Sequence, residues 1–163
     1  MIKLNLGSGG DYIDGFVNID LYAERADERY DIAKLPYMDN SVDEIRAYHV
    51  IEHFDYLHAH DVLKEWMRVL KPGGKIVVET PDFLESCKEF IKADQDGRWN
   101  LYGHFFSTGW INPGLIHKFL YTEFELRKTM TWAGFQNINR CEPNSGYVTP
   151  DTKNIFLNLE ATK

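Results

Sequence analysis

Residues 59–80 read AHDVLKEWMRVLKPGGKIVVET, and this stretch decides the fold. Its first half carries apolar side chains at helical spacing, at Ala59, Val62, Leu63, Trp66, Met67 and Leu70. This spacing predicts an amphipathic helix over 57–70. The proline and glycines of 71–74 are predicted to end the helix, and the apolar run after them predicts a strand over 75–80. A helix that is followed directly by a strand indicates an α/β arrangement.

The same alternation of strands and helices extends along the whole chain. Apolar and β-branched runs predict further strands over 2–6, 16–20, 43–49, 137–141 and 154–161, with a very short one over 30–32. Capping residues and apolar spacing predict helices over 82–94 and 122–133. Together these elements predict one α/β domain over 1–163 with a mostly parallel sheet.

Composition narrows the classes of function. The 163 residues carry a formal net charge of −7 without a long basic stripe, so we expect no duplex nucleic acid as a partner. No apolar run approaches the ~20 residues of a membrane span, so we expect no membrane association. Two cysteines are too few for a disulfide framework, and strand-like sequence from Ile2 leaves no room for a signal peptide. We therefore expect a cytoplasmic protein.

The first candidate binding feature is a glycine loop, NLGSGGD at 5–11, which overlaps the end of the first predicted strand. Glycine lets the backbone approach a ligand closely, and open α/β sheets bind ligands at the carboxyl ends of their strands. Asp20 ends the next predicted strand, where a carboxylate can accept hydrogen bonds from both hydroxyls of a ribose. A plain turn and a turn-capping aspartate remain the alternatives on these residues alone.

Three further segments follow in a fixed order: LPYMDNSVD at 35–43, Glu52-His53, and RVLKPGG at 68–74. Together they resemble the class I S-adenosylmethionine-dependent methyltransferases, and most of all the small methyltransferase type 11 group. The resemblance covers about residues 2–82, with a weaker match at 132–135. It implies a Rossmann-like sandwich, a mostly parallel sheet with an antiparallel last strand, and S-adenosyl-L-methionine as cofactor.

The resemblance also implies a role for each matching position. The glycine loop matches the segment against the methionine part of the cofactor, and Asp20 matches the ribose ligand. Leu21, Asp31 and Ile32 match residues beside the adenine, and His49 matches a residue at the methionine end. The resulting cofactor-binding candidates are Asn5, Gly7, Ser8, Gly9, Asp20, Leu21, Asp31, Ile32 and His49.

The chain departs from the family pattern around the first strand. Asn5 stands where the family usually has an acidic residue, and Asp11 stands where it has a third glycine. Only twelve residues separate Gly7 from Asp20, so we expect the first helix to be lost or reduced. The strand face beneath it should then be partly solvated, and a homodimer anchored by Tyr48 is the alternative. The residues predicted on this face are Lys3, Asn5, Glu44, Arg46 and Tyr48.

Histidines supply the candidates for catalysis and acceptor binding. His53 is the candidate general base, because histidine titrates in the useful range, although Glu52-His53 could also serve only to pin loops. The stretch 97–121 is too long for a simple connection and is predicted to form a lid over the acceptor. Asp82, His104 and His117 are the acceptor-binding candidates. We expect no metal, because the sequence spacing of His53, His104 and His117 fits no local ligand motif.

These features predict an S-adenosylmethionine-dependent methyltransferase that acts on a small-molecule, sugar or nucleotide-linked acceptor, at oxygen or nitrogen. One alternative is a catalytically silent binding or regulatory module on the same fold, which the short first crossover and Asn5 keep open. The other is an NAD-dependent oxidoreductase, which also uses a glycine loop and an acidic strand end. It would not explain the 68–74 segment.

Overall fold

The computed structural model describes residues 1–107, 115–143 and 145–163. Within these residues the strands are β1 (Lys3–Leu6), β2 (Val17–Ile19), β3 (Val42–Tyr48), β4 (Leu70–Pro81), β5 (Gln136–Arg140) and β6 (Phe156–Thr162). The helices are α1 (Tyr56–Val69), α2 (Phe83–Lys92), α3 (Gln95–Phe106) and α4 (Glu123–Ala133), with 3-10 turns at Ile51–His53 and Lys153–Ile155.

The strands form one sheet in the order β2-β1-β3-β4-β6-β5. The first four strands in this order are parallel, and β6 runs antiparallel to both of its neighbours. This arrangement confirms the predicted α/β class and the antiparallel last strand. The carboxyl ends of β1, β2 and β3 therefore lie at the same edge of the sheet.

The first connection of the fold contains no helix, as predicted: residues 7–16, all of them described, form turns. The connection from β2 to β3 is also without a helix over its whole described length, 20–41. The short strand predicted over 30–32 is wrong. A single bridge between Ile19 and Glu28 takes its place, because the chain turns away from the sheet after one residue of pairing.

On the strand face left without a helix, three of the five predicted residues are partly exposed to solvent: Lys3, Glu44 and Arg46. Glu44 pairs with Lys3 at 2.9 Å and with Arg46 at 3.1 Å, and the Glu44 and Arg46 side chains are 18% and 28% exposed. Both cations also lie over the ring of Phe16, at 5.3 Å for Lys3 and 4.8 Å for Arg46. These contacts satisfy the charges without a covering helix.

The other two residues of this face, Asn5 and Tyr48, are buried, which corrects the expectation for them. The loop after β1 folds back over the end of the strand, and the Asn5 amide donates to the carbonyl of Asp11 and to Asn18 Oδ1. A buried Tyr48 cannot anchor a homodimer on this face.

Helix α1 joins the first half of the sheet to the second. Its apolar side packs against the sheet and α4, with Trp66 fully buried and its Nε1 donating to the carbonyl of Ile32 at 2.9 Å. The guanidinium of Arg68 donates to the carboxylates of Glu65 and Asp39 and to two backbone carbonyls, those of Leu35 and Tyr37. One side chain thus ties the segment 35–39 to α1, which gives a physical reason why these two motifs occur together.

We expect Arg68→Ala to lower the free energy of unfolding by about 1–2 kcal/mol, because it removes the guanidinium that donates to two part-buried carbonyls and the charged partner of Glu65. Urea unfolding followed by circular dichroism measures the change. Lys92→Ala removes an exposed pair with Glu89 and serves as the control, with no measurable change expected. Equal effects of the two substitutions would contradict the tying role of Arg68.

The predicted lid begins as a regular helix. Residues 95–106 form α3, which packs on α2 through the rings of Phe90, Tyr102 and Phe105. The segment 115–121 then returns across the same edge of the sheet and ends in a bridge between Tyr121 and Asp82. Residues 108–114 of the predicted lid lie outside the described residues.

Candidate functional site

A cavity of about 760 Å³ opens at the carboxyl ends of β1, β2 and β3. This volume lies in the range of sites that take drug-sized ligands. Ten of the thirteen candidate residues line it: Gly7, Gly9, Asp20, Leu21, Asp31, Ile32, His49, His53, His104 and His117. Residues far apart in the sequence thus meet at one place, where the parallel strands end.

The glycine loop presents bare backbone to this cavity. Gly7 and Gly9 have φ angles of +65° and +49°, a region that favours glycine. The amides of Gly7 and Ser8 donate to the carbonyl of Ile19 at 2.8 and 3.1 Å, which fixes the loop to the end of β2. A Cβ on Gly7 would lie 2.5 Å from Cγ2 of Val50, so the site leaves no room for a side chain there.

Asp20 lies beside this loop and already accepts three backbone hydrogen bonds. Its Oδ2 accepts from the Gly9 amide at 2.9 Å, and its Oδ1 accepts from the amides of Tyr22 and Ala23, both at 2.8 Å. A carboxylate has about four acceptor positions, so Asp20 can take a further donor from the cavity. The same side chain therefore orders the loop and offers an acceptor to a ligand.

Apolar and aromatic side chains form another part of the cavity lining. They belong to Leu21 and Ile32 and to Tyr22 and Tyr30, the last two of which were not among the candidates. Asp31 accepts from the amide of Ala33 at 2.9 Å through Oδ1. Apolar and aromatic side chains can pack on a planar heteroaromatic ring, and the Asp31 carboxylate can accept a hydrogen bond from an amino group on that ring.

Another part of the lining comes from the loop before β6, which the sequence analysis did not single out. Tyr147 lines the cavity, with its hydroxyl 3.6 Å from the position of a Cβ on Gly9. The Gly146 amide donates to Asp11 Oδ2 at 3.0 Å, and Ser145 donates to Glu79. A departure from the family pattern, Asp11, thus holds this loop over the glycine loop.

His49 stands at the end of β3 with a φ of +55°, a strained conformation for a residue other than glycine. Its Nδ1 lies 3.3 Å from Glu52 Oε1, and its Nε2 lies 3.4 Å from Glu79 Oε1. Burial alone would lower the pKa of His49, but the two carboxylates outweigh it and raise the pKa to about 9. His49 is therefore protonated at neutral pH.

Glu52 is the centre of the histidine end of the cavity. It is 1% exposed, and burial by itself would raise the pKa of its carboxyl. His49, His117 and His53 outweigh burial and lower that pKa, so the carboxylate stays ionised. The backbone carbonyl of Glu52 also accepts from the amides of Lys118 and Phe119, which brings the segment 115–119 to this place.

Backbone carbonyls orient the two nearest histidines. His53 Nδ1 lies 3.2 Å from the carbonyl of Ile116, and His117 Nδ1 lies 3.2 Å from the carbonyl of His104. A carbonyl can only accept, so both rings donate from Nδ1 and, when neutral, keep a lone pair on Nε2. Burial lowers the pKa of His117, and burial also lowers the pKa of His104 to about 4, so both rings are neutral at pH 7.

Asn5, Ser8 and Asp82 lie outside the cavity lining. The Asp82 carboxylate caps α2 by accepting from the Glu85 amide, and it lies 3.3 Å from Arg140 Nη2. This arrangement gives Asp82 a structural role, and its predicted contact with the acceptor stays a prediction. The Asn5 side chain donates to the carbonyl of Asp11 at the end of the glycine loop, and Ser8 is buried within that loop.

Comparisons with known proteins agree with this architecture. Residues 15–78 match the family described as a methyltransferase domain. The chain is similar to a SAM-dependent methyltransferase from Archaeoglobus fulgidus, with 15% identity and a TM-score of 0.65, covering 99% of this chain and 85% of that one. No curated protein sequence matches the chain.

Two other solved structures extend the comparison. A possible exported protein from Bordetella parapertussis has 16% identity and a TM-score of 0.69 over 99% of this chain, and this chain spans 61% of its length. Human N-acetylserotonin methyltransferase in complex with SAM has 17% identity and a TM-score of 0.61, covering 99% of this chain and 47% of that one.

The chain therefore has the Rossmann-like fold of the class I methyltransferases, as predicted. Its residues 15–78, which begin after the glycine loop and run through most of β4, match the methyltransferase domain in sequence as well. Among the described residues, no helix is long and apolar enough to cross a membrane.

Proposed function

We propose that this protein binds S-adenosyl-L-methionine and transfers its methyl group to a small acceptor, such as a sugar or a nucleotide-linked metabolite, at oxygen or nitrogen. One observation carries the proposal. The bare backbone of Gly7 and Gly9, the Asp20 carboxylate and the apolar side chains of Leu21 and Ile32 line one cavity, and each of them suits one part of this cofactor.

The residues present fit each part of the cofactor. Asp20 has an acceptor position for the ribose hydroxyls, and Asp31 offers an acceptor to the amino group of the adenine. Gly7 and Gly9 line the cavity with backbone, and we assign this part to the amino-acid end.

When bound, the cofactor supplies a methyl group on a sulfonium, which is already a strong electrophile. The chain's own task is to align the acceptor, exclude water and accept a proton where one must leave. His53 lines the histidine end of the cavity and keeps its Nε2 lone pair, so it is our candidate for the proton acceptor. His104 and His117 line the same end and would contact the acceptor.

We also propose that 97–121 acts as the acceptor-side lid. Support comes from its described parts, because the cavity lining includes the two histidines of this stretch and also Asn100, Gly103, Ser107, Leu115 and Lys118.

We also propose that the protein is cytoplasmic. Its two cysteines, Cys87 and Cys141, are free thiols, as is usual in that reducing compartment.

The activity is tested by incubating the purified protein with the cofactor and a panel of hydroxyl and amine acceptors. We expect formation of S-adenosylhomocysteine that depends on one class of acceptor. A matched sample of Asp20→Ala should show far less product at subsaturating cofactor. Product formation that does not respond to this substitution would contradict the assignment of Asp20 to the cofactor site, and no product with any acceptor would contradict the proposed activity.

A further inference from the structure

The histidine end of the cavity contains a group of metal-ligand atoms that methyl transfer alone does not require. One carboxylate oxygen of Glu52 and one ring nitrogen each of His53 and His117 all lie within 4.8 Å of one another. Their sequence spacing, one residue apart and then 64, gives no local motif, which is why the sequence predicted no metal.

We propose that Glu52, His53 and His117 bind one divalent first-row transition ion, such as Zn²⁺, at the acceptor end of the cavity. Two imidazoles and one carboxylate are the donor set of catalytic zinc sites and of related iron sites, in which open positions remain for water or substrate. His53 and His117 both line the cavity, so the open positions would face it.

The Glu52 carboxylate is the strongest support for this site. It is 1% exposed, and neither of its oxygens has a hydrogen-bond partner among residues 1–107, 115–143 and 145–163. His49 lies 3.3 Å away but without hydrogen-bond alignment. A buried carboxylate with unmet acceptors is costly, and a bound cation would satisfy it directly.

The two histidines are already oriented as ligands. Each donates its Nδ1 hydrogen to a backbone carbonyl, of Ile116 or of His104, which leaves Nε2 as the free ligand atom of the ring. This outer hydrogen bond is the usual support of a metal-bound histidine. His117 Nε2 lies 3.9 Å from Glu52 Oε1, whereas ligands of a tetrahedral zinc ion lie roughly 3.4 Å apart. Small side-chain rotations would close the site.

This inference rests on the proposed function for its chemical role. A bound ion would coordinate a hydroxyl of the acceptor and lower its pKa, with His53 acting as a ligand instead of as a free base. The hydroxyl proton then leaves to solvent, and the oxygen lone pair forms the bond to the methyl carbon. The electrons of the carbon–sulfur bond remain on sulfur. The acceptor class narrows accordingly to alcohols, phenols or vicinal diols.

The test is calorimetric titration of the chelator-treated full chain with Zn²⁺, and with Co²⁺ as a spectroscopic probe. We expect one ion per chain and an affinity that falls about tenfold or more in Glu52→Gln and in His117→Gln. Bound Co²⁺ should also lose its visible bands in these variants. His58→Ala is the matched control, because His58 is an exposed histidine five residues from His53 and should leave binding unchanged.

Cofactor titration of the same samples separates the two proposals. Variants that still bind S-adenosylmethionine are folded, so a selective loss of the metal supports the site. If the wild type binds the cofactor but no ion, or if all variants bind the ion equally well, the metal site is wrong and the proposed function stands. If the ion binds through these residues but the cofactor does not bind, the proposed function fails and the metal site stands.

Discussion

Replacement of Asp20 by alanine is expected to weaken the binding of S-adenosylmethionine by about tenfold or more. The substitution removes the charged acceptor proposed for the ribose hydroxyls, and hydrogen bonds to a charged group contribute about 1.5–3 kcal/mol. It also frees the Gly9 amide and so loosens the loop that faces the methionine part. Isothermal titration calorimetry measures the loss.

The control is Glu24→Ala, which removes an acidic residue four positions after Asp20 in the connection from β2 to β3. Glu24 is exposed and lies outside the cavity lining. It should bind the cofactor like the wild type. A second variant, Asp20→Asn, keeps one oxygen for the Tyr22 and Ala23 amides but loses the charge. Unchanged affinity in both Asp20 variants would remove Asp20 from the cofactor site.

Replacement of Gly7 by alanine should have the second large effect. A side chain at a φ of +65° costs roughly 1–2 kcal/mol, and a Cβ 2.5 Å from Cγ2 of Val50 forces the loop or the Val50 side chain to shift. We expect the free energy of unfolding to fall by about 2–4 kcal/mol and cofactor affinity to fall more than tenfold. Urea unfolding and calorimetry of the same sample measure the two effects separately.

Gly10→Ala is the matched control within the same loop. Gly10 has no atom within 4 Å of an added Cβ, and its φ is not positive. The loop should therefore tolerate it, with stability and affinity close to those of the wild type. If Gly7→Ala behaves like Gly10→Ala, the loop does not depend on close backbone approach.

Much of the fold was predictable because its signals are local. The apolar spacing of α1 and the capping residues of α2 and α4 depend on neighbours three or four residues away. The missing first helix followed from the short distance between Gly7 and Asp20. The strand predicted over 30–32 is wrong because pairing at the edge of a sheet depends on the path of the preceding loop. That loop pairs with β2 at Glu28 and then leaves the sheet.

The sequence predicted the site residues that follow directly after strands better than those that lie on long loops. Gly7, Asp20 and His49 each follow a parallel strand, so topology alone brings them together. Asp82 caps a helix, a role that its sequence position after a strand allows equally well, whereas its contact with the acceptor stays a prediction. Tyr147 and the Glu52–His117 contact depend on the path of long connections, for which the sequence carries no spacing signal.

The central claim is that the cavity at the ends of β1, β2 and β3 is a site for S-adenosylmethionine. Calorimetric titration of the wild-type protein with this cofactor, and with NAD as a comparison, tests it most directly. We predict one cofactor per chain with a Kd in the micromolar range, competition by S-adenosylhomocysteine and no binding of NAD. Binding of NAD instead, or no binding of either nucleotide, would contradict the claim, and the second result would favour a silent module on the methyltransferase fold.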